Sequence, residues 1–301
     1  MQVSANGVRI EVDLHGPDSG EPLLMIMGLG MQLIAWPDGL VSELVARGFR
    51  VIRYDNRDIG HSEGFDHLGP PNLPLAALLH TLRLPLQAPY QIADLARDAV
   101  GVLDALGIAQ AHVCGASMGG MIAQHLGFAH AARVKSLTLM MTTSGHRSLP
   151  KESLQVRRAL LSRPRRGATP AEKLDNLLDH YVRLYGLIGS PGYRTEPALL
   201  RERIAHGVKR SFRPQAVARQ LVAIVADRHR AERLSRITAP TLVIHGEHDP
   251  LIPVAAAHDL ARRIPGAQLQ TLPGWGHDLP EALWPTLAEA VAANAARSER
   301  S

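Results

Sequence analysis

Short apolar runs alternate along the chain with stretches whose apolar residues recur at helical spacing. The apolar runs predict strands at residues 8–15, 23–27, 50–54, 111–114, 134–141, 241–245 and 268–272. The helical patterns predict helices at residues 38–47, 92–106, 120–126, 254–263 and from about residue 280 onward. This alternation is typical of an α/β fold with a mainly parallel sheet covered by helices on both faces. The strand at residues 8–15 is expected to lie at the edge of that sheet.

Two stretches interrupt the alternation. Residues 66–90 read as an inserted loop, with a short apolar helix expected around residues 75–84. Residues 146–236 are largely helical in pattern and carry no strong strand signal. The sequence therefore predicts one α/β core made of residues 1–145 and 237–301, with a helical insertion at 146–236.

A serine lies at the junction between a predicted strand and a predicted helix. The junction reads Gly115-Ala116-Ser117-Met118-Gly119. A serine at such a junction can occupy a sharp, strained turn that lifts its hydroxyl above the edge of the sheet. Glycines two residues to either side leave room for close passage of neighbouring chain segments. Ser117 is therefore a candidate nucleophile.

A serine hydroxyl at neutral pH needs a nearby base, and the base needs an orienting acid. Asp249 follows the predicted strand at residues 241–245, and His277 lies on a loop where two glycines flank Trp275. Both positions lie beyond the carboxyl ends of predicted strands, where the active groups of open α/β sheets collect. We predict that Ser117, Asp249 and His277 meet at this edge.

On these features the chain resembles α/β hydrolases of the serine esterase type, and among them the bacterial aclacinomycin-type methylesterases. The resemblance covers nearly the whole chain and rests on residues 53–62 (RYDNRDIGHS), the Ser117 turn, and the Asp249 and His277 loops in the family's chain order. It implies that Ser117 is the nucleophile, His277 the general base and acid, and Asp249 the orienting carboxylate. It also implies that residues 146–236 form a cap over the active site. No metal or cofactor is required by such a site.

The resemblance further implies an oxyanion hole, in which two backbone N–H groups bind the developing negative oxygen. Met118, directly after the nucleophile, would supply one N–H group. Leu29 would supply the other, from the turn Met27-Gly28-Leu29-Gly30 that follows the strand at residues 23–27. Many family members have histidine where this chain has Met27, so the side-chain support of the turn is expected to differ here.

The insertion also contributes a candidate substrate pocket. One apolar helical face of the insertion is expected to pack on the core and, in part, to line an acyl or alcohol pocket; its members are Leu177, Leu178, Tyr181, Leu184, Tyr185, Leu187 and Ile188. Within this set, Tyr181 and Tyr185 are predicted to contact substrate. Gly28, in the turn after the strand at residues 23–27, is predicted to do the same.

Charge is unevenly distributed along the chain. Residues 146–236 contain 20 Lys and Arg against 8 Asp and Glu, and the remainder contains 13 against 20. A basic insertion could steer anionic substrates or make weak contact with an acidic lipid surface. Charge patterning alone favours the other interpretation, in which these residues form solvated helix faces of an arginine-rich chain. Nucleic-acid binding is not expected, because no recognised module or aromatic–basic platform is present.

Length and composition bear on the cellular location of the protein. A chain of 301 residues is long enough for one large α/β domain. Apolar runs stay below the roughly 18 residues of a membrane span, and residues 1–7 lack the basic-then-apolar order of a signal peptide. We therefore expect a cytoplasmic protein without a membrane span. The single cysteine, Cys114, excludes an intrachain disulfide and is expected to be a small buried side chain.

The remaining polar motifs are predicted to be structural. The resemblance implies that residues 55–62 brace the active-site floor through ion pairs and tight turns, and His61 is expected near the pocket mouth. His245 and His248 flank Asp249, but a third ligand at suitable spacing is missing. The sequence therefore predicts no metal site and two histidines that are either hydrogen-bonded or exposed.

Together these features predict a serine carboxylic-ester hydrolase that acts through an acyl-enzyme on small to medium esters. Lipases, including monoacylglycerol-lipase-like enzymes, lactonases and acyltransferases share the same triad, and a hydrolase scaffold can also bind ligands without catalysis. Serine at position 117 argues against haloalkane dehalogenases and epoxide hydrolases, which have aspartate there. Met118 argues against proline iminopeptidases, which typically have tryptophan after the serine. The expected partner is a small-molecule ester; the pattern leaves the oligomeric state open.

Overall fold

The computed structural model describes residues 1–82 and 84–300, of which Glu299 and Arg300 are described by their backbone alone. Its strands within this part of the chain are β1 (Gln2–Ala5), β2 (Val8–His15), β3 (Glu21–Ile26), β4 (Phe49–Tyr54), β5 (Ala111–Ala116), β6 (Val134–Met140), β7 (Thr241–Gly246) and β8 (Gln268–Leu272). They form a single sheet in the order β1-β2-β4-β3-β5-β6-β7-β8. The pairs β1–β2 and β2–β4 are antiparallel, and all other neighbouring pairs are parallel. The expected mainly parallel α/β sheet is confirmed.

Helices cover both faces of the sheet. They are α1 (Asp38–Ala46), α2 (Leu73–Leu82), α3 (Ile92–Ala105), α4 (Met118–Ala129), α5 (Leu154–Leu161), α6 (Pro170–Ile188), α7 (Pro197–Arg210), α8 (Pro214–Ala226), α9 (Ala255–Arg263) and α10 (Trp284–Ala296). Successive residues of β3 point to opposite faces, as the period of a strand requires. Leu24 and Ile26 pack in the cluster that contains α3 and α4, whereas Leu23 and Met25 pack in the cluster that contains α1 and α10.

The prediction that residues 8–15 form an edge strand is wrong. β2 lies between β1 and β4, because β1 pairs with it in a two-residue hairpin. The hairpin turn is Asn6-Gly7, in which both residues have positive φ, 52° and 74°. An Asn-Gly turn of this kind matches the right-handed twist of paired strands and is a strong hairpin signal. The signal is in the sequence, but β1 is too short and polar to be recognised by periodicity.

Three helices have boundaries that differ from the prediction by two or more residues. The helix expected at residues 120–126 is α4, which begins two residues earlier and ends three residues later. The helix expected at residues 75–84 is α2, which begins two residues earlier and ends at Leu82; Arg83 lies outside the described residues. The helix expected from residue 280 begins as a 3₁₀ turn at Glu281–Leu283 and becomes α-helical only at Trp284. Pro280 and Pro285 explain this boundary, since proline cannot donate the backbone hydrogen bonds of a continuing helix.

Residues 146–236, all of which the structure describes, form α5 to α8 and a 3₁₀ helix at Ala231–Arg236, and they contain no strand. Thr169 caps the start of α6: its hydroxyl accepts a hydrogen bond from Glu172 N, while the Glu172 carboxylate accepts one from Thr169 N. This capping box satisfies two donors at the helix start. Among the described residues, no helix is both long and apolar enough to cross a membrane.

Cys114 occupies the middle of β5. Its side chain is fully buried, and burial raises the pKa of the thiol to about 12. A buried thiol of this kind behaves as a small apolar group. The structural role predicted for Cys114 is confirmed.

Candidate active site

Ser117 lies in a strained turn between the end of β5 and the start of α4. Its backbone has φ 55° and ψ −120°, a region that residues with a side chain rarely adopt. The flanking glycines make the turn possible. A Cβ at Gly115 would overlap the carbonyl oxygen of Gly119, and a Cβ at Gly119 would overlap that of Ile26.

The neighbouring strand holds this strained backbone in place. Ser117 N donates to the Met140 carbonyl at 3.0 Å. The Ser117 carbonyl accepts from Gly120 N at 2.9 Å and from Thr142 Oγ1 at 2.7 Å. Because both backbone groups of Ser117 are hydrogen-bonded, the turn presents the side chain in one direction.

Gly119→Ala is expected to lower the free energy of unfolding by about 3 kcal/mol, because the new methyl group would overlap backbone atoms of β3 that cannot move aside. Gly186→Ala is the matched control. Gly186 lies on α6 with open space around its Cα, so alanine there should add up to about 1 kcal/mol of stability. Urea unfolding of both variants measures the difference. Equal stability of the two variants would contradict the close approach of the turn to β3.

The structure brings Ser117, His277 and Asp249 together. Ser117 Oγ lies 3.1 Å from His277 Nε2, and His277 Nδ1 lies 2.6 Å from Asp249 Oδ2. The other carboxylate oxygen of Asp249 accepts hydrogen bonds from Leu251 N at 2.9 Å and Ile252 N at 2.8 Å. The hydroxyl, imidazole and carboxylate therefore form one continuous hydrogen-bonded chain.

Asp249 is ionised in this chain. Burial acts to raise its pKa, but the adjacent His277 and His245 outweigh burial and hold the pKa of Asp249 well below its ordinary value of 3.8. An ionised carboxylate can only accept hydrogen bonds. His277 therefore donates from Nδ1, and in the neutral imidazole Nε2 is left as an acceptor that faces the Ser117 hydroxyl.

The two histidines beside Asp249 differ from one another. His245 is fully buried; its Nε2 donates to the Ile252 carbonyl at 2.8 Å and lies 3.4 Å from Asp249 Oδ2. Its Nδ1 is buried without a hydrogen-bond partner, so the ring is hydrogen-bonded as expected but at only one of its two nitrogens. His248 is exposed and accepts from Gly274 N at 3.1 Å. In the described part of the chain, no group of three metal-ligating side chains is present.

The turn after β3 lies directly against the nucleophile. A Cβ at Gly28 would be 3.1 Å from Ser117 Cβ, a contact tighter than most, so glycine suits this close approach. The Gly28 carbonyl accepts from Met31 N at 3.1 Å, which closes the turn around Leu29. Met118, the second predicted donor, is the first residue of α4. Both predicted donors therefore lie on segments that border Ser117.

The family model of the α/β hydrolase fold matches residues 21–281. The chain belongs to the α/β-hydrolase fold family. It is 32% identical over 295 residues to the rhodomycin D methylesterase of Streptomyces peucetius, covering 93% of this chain and 92% of that one. It is 33% identical over 283 residues to the 2-hydroxymuconate semialdehyde hydrolase of Pseudomonas sp. (strain CF600), covering 92% and 86%. The solved esterase of Exiguobacterium antarcticum has the same fold, with a TM-score of 0.71, 20% identity and 98% coverage of both chains.

The loop at residues 55–62 braces this α/β hydrolase, as the sequence predicted. Asp55 is fully buried and accepts from Leu33 N, from His61 N and from the Arg210 guanidinium. Asp58 pairs with the buried Arg219 at 2.6 Å. The ring of His61 is exposed and donates to the Arg210 carbonyl at 3.2 Å. The loop therefore ties β4 to α7 and α8 rather than supplying reacting groups.

The two predicted pocket tyrosines lie next to each other on α6. The rings of Tyr181 and Tyr185 are stacked with centroids 5.9 Å apart. Tyr185 Oη donates to Met31 Sδ at 3.4 Å, and burial raises the pKa of Tyr185 to about 12. Tyr185 thus reaches the turn after β3, and both rings remain partly exposed.

The site contains four polar residues to which the sequence assigned no individual role. Asn56 Nδ2 donates to the Met27 carbonyl at 3.0 Å, and Gln220 Oε1 accepts from Gly30 N at 2.9 Å. Ser190 Oγ accepts from Gly276 N at 3.0 Å and is hydrogen-bonded to the Asp278 carboxyl group. The available signals were the position of Asp278 beside His277 and that of Asn56 within residues 53–62. The others lie far from their partners along the chain, and only folding shows them to be neighbours.

Proposed function

We propose that the protein is a serine carboxylic-ester hydrolase that acts through an acyl-enzyme on small to medium esters. The hydrogen-bonded chain from Ser117 through His277 to Asp249 carries the proposal. Membership of the α/β-hydrolase family and similarity to a methylesterase support it. That similarity also makes a methyl ester of a carboxylic acid a good first substrate class to test.

The reaction proceeds in two transfers of the acyl group. Ser117 Oγ attacks the ester carbonyl carbon while His277 Nε2 takes the hydroxyl proton, and the carbonyl electron pair moves onto oxygen. The tetrahedral intermediate collapses as His277 returns the proton to the leaving alcohol, which leaves the acyl group on Ser117. Water then attacks the acyl carbon as His277 takes one of its protons. The second tetrahedral intermediate collapses as His277 returns that proton to Ser117 Oγ, which breaks the acyl–serine bond and releases the acid. Asp249 stays ionised and orients the imidazole throughout.

The backbone N–H groups of Leu29 and Met118 bind the oxyanion in both steps. Met118 opens α4, so the partial positive charge of the helix N-terminus adds to its N–H group. Gly28 leaves the space above Ser117 open for the ester carbonyl. No step needs a metal ion or an organic cofactor.

Residues 146–236 act as a cap over a core formed by residues 1–145 and 237–301. Contacts between the helices of this insertion and the turn after β3 support this role, because that turn borders Ser117. The stacked rings of Tyr181 and Tyr185 offer an apolar surface for the acyl or alcohol group.

The proposal is tested with p-nitrophenyl esters from acetate to palmitate and a fluorophosphonate probe whose adduct is mapped by peptide mass spectrometry. We expect hydrolysis of the short and medium esters and a single adduct on Ser117. The chain-length optimum then measures the acyl pocket. Absence of both hydrolysis and labelling would overturn the proposal and favour a ligand-binding protein on a hydrolase scaffold.

The same assay separates the alternative activities that share this triad. A lipase would prefer emulsified long-chain esters to soluble short ones. A lactonase would open a ring ester faster than it hydrolyses the matched linear ester. An acyltransferase would pass the acyl group to an added alcohol in preference to water.

The basic charge of residues 146–236 gives a prediction that depends on salt. If it steers anionic substrates, kcat/KM for carboxylate-bearing esters should fall as salt rises, while that for matched neutral esters stays constant, because salt screens charges over about 10 Å at 0.1 M. Steady-state kinetics across a sodium chloride series measure both. An equal response of the two esters would contradict steering. Binding to vesicles of acidic but not neutral lipids would instead indicate the weak membrane contact.

A further inference from the structure

The turn after β3 receives much of its support from the insertion. Asn56 of the core holds the Met27 carbonyl, and the apolar side chain of Met27 adds no strong hydrogen bond of its own. Instead α6, α7 and α8 all contact this turn or the residues just after it. Tyr185 of α6 reaches Met31, and Gln32 Nε2 donates to the Gly207 and Ser211 carbonyls at the end of α7.

The contact from α8 is the one closest to the reacting atoms. Gln220 is fully buried on α8, and its Oε1 accepts from Gly30 N at 2.9 Å. Its Nε2 donates to the Arg57 carbonyl at 3.3 Å. With a donor on one side and an acceptor on the other, the amide has a single satisfied orientation.

Packing adds to this hydrogen bond. Val217 lies three residues before Gln220 on the same helix and packs against Gly30. A Cβ on residue 30 would be 2.9 Å from Val217 Cγ2. Gly30 itself has φ 69°. The peptide that follows Leu29 is therefore held between α8 and the core.

We propose that Gln220 is a positioning residue for the oxyanion hole. By accepting from Gly30 N, it fixes the turn that contains Leu29, and so it holds the Leu29 N–H group toward the oxygen above Ser117. The inference rests on the proposed serine esterase function. It makes an oxyanion hole on the core depend on a helix of the cap.

Loss of the hydrogen bond between Gln220 and Gly30 is expected to weaken transition-state stabilisation more than substrate binding. An oxyanion hole contributes most when negative charge develops on the substrate oxygen, and geometry off by a fraction of an ångström weakens it. Gln220→Met keeps the length of the side chain and removes the acceptor, which leaves Gly30 N unpaired. We expect kcat to fall about 10- to 100-fold with KM changed by less than about threefold.

Arg213→Met is the matched control. Arg213 precedes α8 and donates to the Ser62 carbonyl at 3.1 Å, so it also links the insertion to the core but does not touch the turn after β3. Gln220→Glu is the conservative variant: as a buried neutral acid it can accept from Gly30 N and donate to the Arg57 carbonyl, and it should retain more activity than Gln220→Met. If Gln220→Met fails to fold, Gln220→Asn, one methylene shorter, replaces it.

Two readouts distinguish positioning from loss of stability. The first is the inhibition constant of a trifluoromethyl ketone, which forms an oxyanion on Ser117, compared with that of the matched methyl ketone. In Gln220→Met the inhibition constant of the trifluoromethyl ketone should rise in step with the loss of kcat, and that of the methyl ketone should not change. The second readout is amide hydrogen exchange at residues 28–32, which should accelerate in Gln220→Met and remain at the wild-type rate in Arg213→Met.

The outcomes separate this inference from the proposed function. If wild type hydrolyses esters but Gln220→Met matches Arg213→Met in kcat and in ketone inhibition, the inference is overturned and the function stands. If wild type is inactive and unlabelled by fluorophosphonate, the function fails and the exchange data alone decide whether Gln220 holds the turn. Unchanged exchange in Gln220→Met overturns the inference in either case.

Discussion

Ser117→Ala is expected to lower kcat for ester hydrolysis by about 10⁵- to 10⁶-fold, to a rate set by the oxyanion hole and substrate binding alone. The physical reason is that no other hydroxyl can replace the one that His277 activates at 3.1 Å. Alanine is also not expected to create a cavity in the core, since Ser117 is partly exposed. The measurement is kcat with the best p-nitrophenyl ester, together with loss of the fluorophosphonate adduct.

Ser136→Ala is the matched control for this prediction. Ser136 is buried on β6, and its Oγ lies 2.8 Å from His112 Nδ1. Burial, together with nearby Lys135, lowers the pKa of His112 to about 4, and its nearest carboxylate, Glu21, is 3.8 Å away and half exposed. This serine–histidine pair lacks an orienting buried carboxylate, and Ser136→Ala should leave kcat unchanged. Hydrolysis that survives Ser117→Ala would contradict an acyl-enzyme on this residue.

Asp249→Asn is expected to lower kcat by about 10⁴-fold with little change in the positions of the three side chains. An asparagine amide can turn its NH₂ group toward His277 Nδ1, which places the ring proton on Nε2. The ring then presents a donor to Ser117 Oγ and cannot accept the hydroxyl proton. Steady-state kinetics at neutral pH measure the loss.

Asp259→Asn is the control for removal of a buried carboxylate. Asp259 lies on α9, accepts from Ser144 Oγ at 2.5 Å and pairs with Arg263 at 2.7 Å, away from the triad. It should lose stability but retain kcat. Activity of Asp249→Asn close to that of Asp259→Asn would show that Asp249 does not set the tautomer of His277.

The lowered pKa of Asp249 also makes its contribution to stability depend on pH. A carboxyl group whose pKa is depressed by folding binds fewer protons in the native state than in the unfolded state, so it stabilises the fold above its ordinary pKa of 3.8. That contribution is lost as pH falls from there toward the depressed native value. The stability difference between wild type and Asp249→Asn should therefore be largest near neutral pH and shrink below pH 4, as urea unfolding would measure.

The triad illustrates how far local sequence can lead. Ser117 lies within a strand–turn–helix pattern, and Asp249 and His277 each follow a predicted strand, so their meeting follows from parallel strands sharing one carboxyl edge. The oxyanion turn could be located in the same way, after the strand that precedes it. The assigned donor positions and the substrate contacts of Tyr181 and Tyr185 stay predictions.

The errors show where local reasoning ends. β1 was missed although Asn6-Gly7 marks a hairpin, because four residues give too short a pattern to reveal a strand. The unpaired Nδ1 of His245 could not be foreseen, since it depends on which atoms surround the ring after folding. The sequence placed this histidine beside Asp249 along the chain but gave no indication of its complete burial.

The sequence by itself determined the mainly parallel α/β sheet and the candidate residues Ser117, Asp249 and His277 in their chain order, because strand periodicity, turn glycines and strand-end polar residues are local signals. The α/β-hydrolase family followed from the resemblance that these residues carry. Only the tertiary structure decided what supports the oxyanion turn. Gly30 and Gln220 are 190 residues apart, and neither lies in a motif that names the other. Hydrogen bonds across such a separation arise from how α8 docks on the core, and docking depends on the complementarity of whole surfaces.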